Sequence, residues 1–199
     1  MPKIIRVALA GLGAVNSKLL LLAQKQARIE RQYDIIFRIS VIADSSGAAH
    51  SLNGFDPCAI YQLKTAGGRI SNLSTAQPQG TSFSLDLLQA KNCDLLFEGT
   101  PVNLQSGEPG LTYTRQALQQ GINVVLASLK DMIHQFHELT AALANTNNAD
   151  LAYQCHGLCV PVINIGQQDL VAAELNKFVV SLTQLAIISW PRSREWRHL

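Results

Sequence analysis

Residues 4–23 read IIRVALAGLGAVNSKLLLLA. A run of branched and small apolar residues stops at Gly11, a two-glycine turn follows, and from Ala14 the apolar positions recur at helical spacing. Strand, glycine turn and helix in that order form the opening unit of an open α/β sheet, whose ligands lie beyond the carboxyl ends of the strands. Gly11 permits the tight turn and Gly13 lets a diphosphate approach the backbone. The helix from Ala14 then offers unpaired N–H groups and the positive end of its dipole. Where the dinucleotide pattern has a third glycine, this chain has Asn16. That glycine serves close packing of helix on strand. Asn16 is therefore expected to loosen the packing while leaving phosphate binding in place.

The alternation continues along the chain. The first helix is expected to run to about Arg31, and IIFRISVIAD (35–44) is a second strand, closed by Asp44-Ser45-Ser46-Gly47. Helices are expected near 58–64 and 84–91. CDLLFEGT (93–100) reads as a strand, and TYTRQALQQG (112–121) as a helix closed by Gly121. INVVLAS (122–128) is a strand, IHQFHELTAALANT (133–146) a helix and ADLAYQC (149–155) a further strand. Strands apolar on both faces and separated by helices belong in a parallel sheet covered on two sides. The expected class is α/β, a Rossmann-like doubly wound parallel sheet.

The chain has 199 residues, 47% of them hydrophobic and 15% charged, enough for one domain with a real core. A formal net charge of +2 argues against nucleic-acid or membrane partners. No apolar stretch reaches the roughly 18 residues of a membrane helix, and VALAGLGAV is not a signal peptide, so a cytoplasmic location is expected. The four cysteines, Cys58, Cys93, Cys155 and Cys159, read as free thiols. Cys155 and Cys159 flank His156, but no second pair completes a metal site. His134 and His137 read as one helical face, not as metal ligands.

An acid at the end of the second strand strengthens the glycine-turn reading, since it can accept a ribose hydroxyl. That acid is Asp44. It lies beyond the usual spacing of about 20 residues, an excess that a long first helix accounts for. The competing reading is a glycine turn in a Rossmann-like protein that binds no dinucleotide.

Several segments resemble the nucleotide-binding domain of homoserine dehydrogenase. VALAGLGAV and its helix are similar to the family's first unit, and VIADSSGA to its second strand and turn. The most specific match is DLLFEGTPVNLQSGEPGLTYTRQALQQGINVVLAS (94–128). PVINIGQQDLVAAEL (161–175) resembles the segment leading to the substrate domain, so the likeness runs from about Val7 to Leu175. The resemblance implies hydride exchange between NAD(P) and the homoserine/aspartate semialdehyde pair. It implies that Leu12, Ala14 and Val15 line the phosphate turn and that Thr100, followed by Pro101, lies near the nicotinamide ribose. By the same resemblance Asp44 accepts the adenosine 2′-hydroxyl, which favours NAD, while Ser45 and Ser46 can donate to the 2′-phosphate of NADP. Coenzyme preference stays open.

Three departures from the family pattern stand out. After VVLAS the family has a lysine directed at the nicotinamide and substrate; here Leu129 takes that position, and Lys130 reaches it only if the loop is shifted by one residue. A leucine there cannot stabilise developing oxyanion charge. In YQCHGLCVPVIN, Gln154 replaces a glutamate and only Gly157 remains of a glycine-rich loop, so no cation site is expected. Finally, the family continues into a substrate and dimerisation domain. Here FVVSLTQLAIISW (178–190) reads as its first strand, ahead of a basic tail with Arg192, Arg194 and Arg197. Trp190 and Trp196 are read as covering apolar surface. Glu98 reads as a paired structural carboxylate in preference to a general base.

The expected organisation is a NAD(P)-binding domain over 1–156 and a linker with a remnant of the substrate domain over 157–199. Two functions are consistent with these features. One is a truncated homoserine dehydrogenase-like oxidoreductase domain, impaired alone and completed by a separate chain or a homo-oligomer. The other is a non-catalytic nucleotide-binding or interaction protein. No catalytic or metal-ligating residue is assigned.

Overall fold

The computed structural model describes residues 2–23, 25–73, 76–77, 85–101, 103, 106–127, 139, 149–153, 179–180 and 188–189. The chain divides into two units, 1–154 and 155–199. In the first unit, strand β1 (Lys3–Ala10) leads through the glycine turn into α1 (Ala14–Ala23). Helix α2 (Gln26–Tyr33), β2 (Ile35–Asp44), β3 (Gly47–His50) and α3 (Pro57–Thr65) follow. Then come β4 (Ala76–Gln77), β5 (Leu95–Glu98), α4 (Gly110–Gln119), β6 (Asn123–Leu126) and β7 (Leu151–Tyr153).

The seven strands lie in the order β4-β3-β2-β1-β5-β6-β7. The five from β2 to β7 pair in parallel, as the strand–helix alternation predicts. The β2–β3 and β3–β4 pairs are antiparallel, an edge hairpin that the Gly- and Ser-rich sequence after Asp44 did not signal.

Both faces of the sheet are buried, because β1 alternates strictly. Val7 and Leu9 enter a cluster with Leu20 of α1, Ile60 of α3 and Ile70. Ala8 and Ala10 enter the opposite cluster with Leu111, Ala117 and Leu118 of α4. The small alanines let the second layer approach β1 closely. In β2 the alternation slips once at Ser40, since Val7 opposes Ile39 while Ala8 opposes Val41. Its buried hydroxyl donates to the Asn92 carbonyl at 2.7 Å. At the opposite end of the β1–β5 pair from the glycine turn, Arg6 donates to both Asp94 oxygens, 3.0 and 2.5 Å away.

Two helix expectations need correction. The predicted single first helix is two, α1 and α2, separated at Lys25, whose φ and ψ are −90° and 26°. Gln26 accounts for the break. Its carboxamide donates to the Ile35 carbonyl and accepts from the Phe37 N–H, tying α2 to the start of β2. The expected helix near 84–91 is a single 3₁₀ turn, Leu85–Leu87. Gly121 does close α4, with φ 71° and its N–H donating to the Leu118 carbonyl. The expected 133–146 helix lies outside the described residues except for Leu139, which is buried.

In the second unit, two short strands, β8 (Val179–Val180) and β9 (Ile188–Ser189), pair antiparallel, where one strand was expected. Among the described residues no helix is long and apolar enough to cross a membrane.

Candidate dinucleotide-binding site

The carboxyl ends of β1, β2 and β5 form one rim, and backbone contacts draw them together. The Gly11 N–H donates to the Ala43 carbonyl at 2.9 Å, and the Gly99 N–H donates to the Ala10 carbonyl at 2.9 Å. Gly11 has φ +77°, and a Cβ on it would lie 2.5 Å from the Gly99 oxygen and 2.7 Å from the Thr100 Cα. Only glycine fits there, for both conformational and spatial reasons. Gly13 differs: a Cβ on it would meet nothing within 4 Å. Its backbone faces open space at the mouth of α1, where a phosphate group has room to approach.

Leu12 is buried in the sheet–helix core, while Gly13, Ala14 and Val15 are exposed, Val15 at 47%. These three surround the first turn of α1, whose amide hydrogens have no partner within the helix. Of the residues singled out in the sequence, Gly11, Leu12, Gly13, Ala14, Val15, Asp44, Ser45, Thr100 and Pro101 therefore lie at the ends of three neighbouring strands. Lys130 and Leu129 lie outside the described residues, as do the four metal-motif residues Cys155, Cys159, His134 and His137.

Asn16 does not loosen the packing. It is 1% exposed, and its Nδ2 lies 2.9 Å from the Ala10 oxygen, 2.9 Å from the Gly11 oxygen and 3.3 Å from the Phe97 oxygen. Three carbonyls around one nitrogen make it a donor that pins the turn to β1 and β5. A Cβ on Gly99 would lie 3.0 Å from that nitrogen, so Gly99 makes room for it. The third glycine's packing role is here filled by a carboxamide opposite Gly99, the residue that follows β5.

Asp44 sits at the end of β2 with its carboxylate nearly buried, and it is already engaged. Ser46 donates to Oδ1 through its N–H at 2.8 Å and its hydroxyl at 2.6 Å, and Lys64 Nζ lies 2.5 Å from Oδ2. Burial pushes the acid up, but the hydrogen bonds from Lys64 and Ser46 outweigh it and hold it below the usual carboxylate range. Ser46 also accepts from the Ile70 N–H, so it is a structural bridge. Ser45 is the exposed hydroxyl. The sequence reading missed Lys64. No motif marks it, because it comes from the last turn of α3, 20 residues beyond Asp44.

At the end of β5, Glu98 is fully buried and accepts on Oε1 from the Thr100 N–H at 2.8 Å and from the Thr100 hydroxyl. It belongs to the architecture of the rim, in line with its reading as a structural carboxylate. Among the described residues no cluster of His, Cys, Asp and Glu is arranged to hold a metal ion.

The chain is 28% identical over 178 residues to the NAD(+)-dependent homoserine dehydrogenase of Pseudomonas canavaninivorans, covering 87% of this chain and 49% of that protein. Its relatives are homoserine dehydrogenases. The crystal structure of homoserine dehydrogenase from Thermoplasma acidophilum superposes with a TM-score of 0.68 at 25% identity, over 85% of this chain and 49% of that one. A hyperthermophilic archaeal homoserine dehydrogenase in complex with NADPH shares the fold, with a TM-score of 0.64 at 20% identity over 81% and 47% of the two chains. No protein-family model matches the chain. The chain spans about half the length of the curated homoserine dehydrogenases it matches.

Proposed function

We propose that this chain is the dinucleotide-binding portion of a homoserine dehydrogenase-type oxidoreductase. The observation that carries the reading is the contrast between the two turn glycines. Gly11 is locked against Gly99 and Thr100, while Gly13 opens onto vacant space at the start of α1. The resulting cradle admits a diphosphate and would be filled by a side chain. NAD(P)(H), when bound, supplies or accepts the hydride exchanged between homoserine and aspartate semialdehyde. This chain's residues hold it: the amides from Gly13 to Val15 at the diphosphate, Asp44 and Ser45 at the adenosine ribose, Thr100 and Pro101 toward the nicotinamide ribose. Catalysis requires the remaining half of the relatives' length, whether in the same polypeptide or in another.

The Asp44–Lys64 pair bears on coenzyme choice. A lone carboxylate at the ribose repels a 2′-phosphate, but Lys64 pairs with this one and neutralises it. Both NADH and NADPH are therefore accepted, and Lys64 is the residue that admits NADPH.

Titration of the 199-residue chain with NADH and NADPH, followed by nucleotide fluorescence, tests the site. Saturable binding of both is expected, and no response to either removes the proposal. Reduction of NAD(P) by homoserine with this chain alone is expected to be undetectable. Turnover would refute the division of labour.

A further inference from the structure

We infer that Glu98 is a positioning residue for the nicotinamide side of the cofactor, acting through Thr100. The inference rests on the dinucleotide reading above. Glu98 is the one wholly inaccessible acid among the described residues, and it lies at the carboxyl end of the interior strand β5 beside the rim. A carboxylate is costly to bury, so its retention at this point calls for a specific partner. One oxygen collects both polar hydrogens of Thr100, the backbone N–H and the hydroxyl.

That arrangement has a chemical consequence. With its proton committed to Glu98, the Thr100 oxygen presents only lone pairs to the rim, so it is an acceptor for a ribose hydroxyl or a carboxamide N–H and not a donor. The two bonds also leave the Thr100 backbone and side chain one common anchor. The anchor itself is wedged: a Cβ on Gly110, the first residue of α4, would lie 3.0 Å from the Glu98 carboxyl carbon. Glycine there lets α4 close down on the acid. The sequence stretch Glu98-Gly99-Thr100, followed by Gly110, thus encodes a buried acceptor, a contact glycine, the group it orients and the space it needs.

The test separates the two ends of the ligand. ADP contacts the glycine turn and Asp44 but does not reach Thr100, whereas NADH does. In the full chain, Glu98→Met keeps the volume and removes the acceptor, Glu98→Gln keeps an acceptor oxygen, and Thr100→Val removes the hydroxyl. Glu98→Met and Thr100→Val are each expected to weaken NADH binding about tenfold, the scale of one hydrogen bond left unmade. ADP binding should stay within about twofold, and Glu98→Gln should track the wild type. The double variant Glu98→Met/Thr100→Val should be no weaker than either single one, because both act on one contact. Unchanged NADH affinity in Glu98→Met, losses that multiply in the double variant, or parallel loss of ADP and NADH overturns the inference. If Glu98→Met fails to fold, the remaining pair decides. Thr100→Val weak with Glu98→Gln intact supports positioning, and any other order overturns it. A wild-type chain that binds neither ADP nor NADH instead refutes the dinucleotide site itself.

Discussion

Replacing Asn16 probes the feature that most distinguishes this turn. The side chain is 1% exposed and its nitrogen faces three carbonyl oxygens. The Ala10 oxygen also receives the Gly99 N–H, so truncation to alanine leaves it a partner. The Gly11 oxygen loses its close side-chain donor. One buried hydrogen bond lost with its acceptor left desolvated costs about 1–3 kcal/mol, and the void left by the carboxamide adds about 1 kcal/mol. Asn16→Ala is thus expected to lose about 2–4 kcal/mol, or about 5–10 °C in Tm for a chain of this size. Asn16→Asp has the same shape but turns a donor into a charge facing three carbonyls, and should lose more, about 3–5 kcal/mol. Burial raises the pKa of that new acid, so its deficit should shrink as pH is lowered and a proton restores one donor. Urea unfolding at constant m-value provides the assay. Asn16→Asp as stable as Asn16→Ala, or Asn16→Gly as stable as the wild type, would refute the donor assignment and restore the view that the position merely wants a small residue.

The turn glycines make a contrasting pair. Gly11→Ala meets backbone atoms at a positive φ and is expected to destabilise the fold by about 3 kcal/mol or more. Gly13→Ala should leave Tm within about 2 °C, because its methyl group meets no protein atom within 4 Å, while weakening ADP binding if the proposed diphosphate site is there. Lys64→Ala should weaken NADPH at least about tenfold relative to NADH, since the uncompensated Asp44 charge then opposes the 2′-phosphate. Equal losses for the two coenzymes would show that Lys64 plays no part in the choice. Acid should destabilise the chain through depressed carboxylates. Asp94 lies below the usual range because Arg6 donates to it, and Asp44 does so because Lys64 and Ser46 outweigh its burial. Their contribution is complete above about pH 4 and is lost as pH falls through the lower folded values. The urea midpoint should therefore be flat from about pH 5 to 7 and fall below about pH 4. Asp94→Asn should reduce that fall only modestly, because its pair with Arg6 is about one-third exposed.

Much of the fold was legible in the chain because it is written locally. Short apolar strand runs, period-3.6 helices and the Gly11–Gly13 turn depend on neighbours a few residues apart, and IIFRISVIAD appears as a strand with the bounds expected of it. The same locality placed Asp44 and Thr100 at strand ends, and hence on one rim. The edge hairpin was not legible, since β3 and β4 are short and carry no strong alternation. The break at Lys25 depends on a glutamine reaching forward to β2, which periodicity cannot register.

What the sequence by itself determined is the order of strands and helices, and with it a parallel sheet whose first turn must be glycine. Tertiary structure alone decided how that turn is held and what surrounds it. Asn16 reads as a missing glycine until the Phe97 carbonyl, 81 positions away, comes within 3.3 Å of its amide. Asp44 reads as a lone acid until α3 brings Lys64 to it. Hydrogen bonds and ion pairs act over about 3–4 Å in space whatever the separation along the chain, so a side chain's chemical role is complete only once folding has chosen its neighbours.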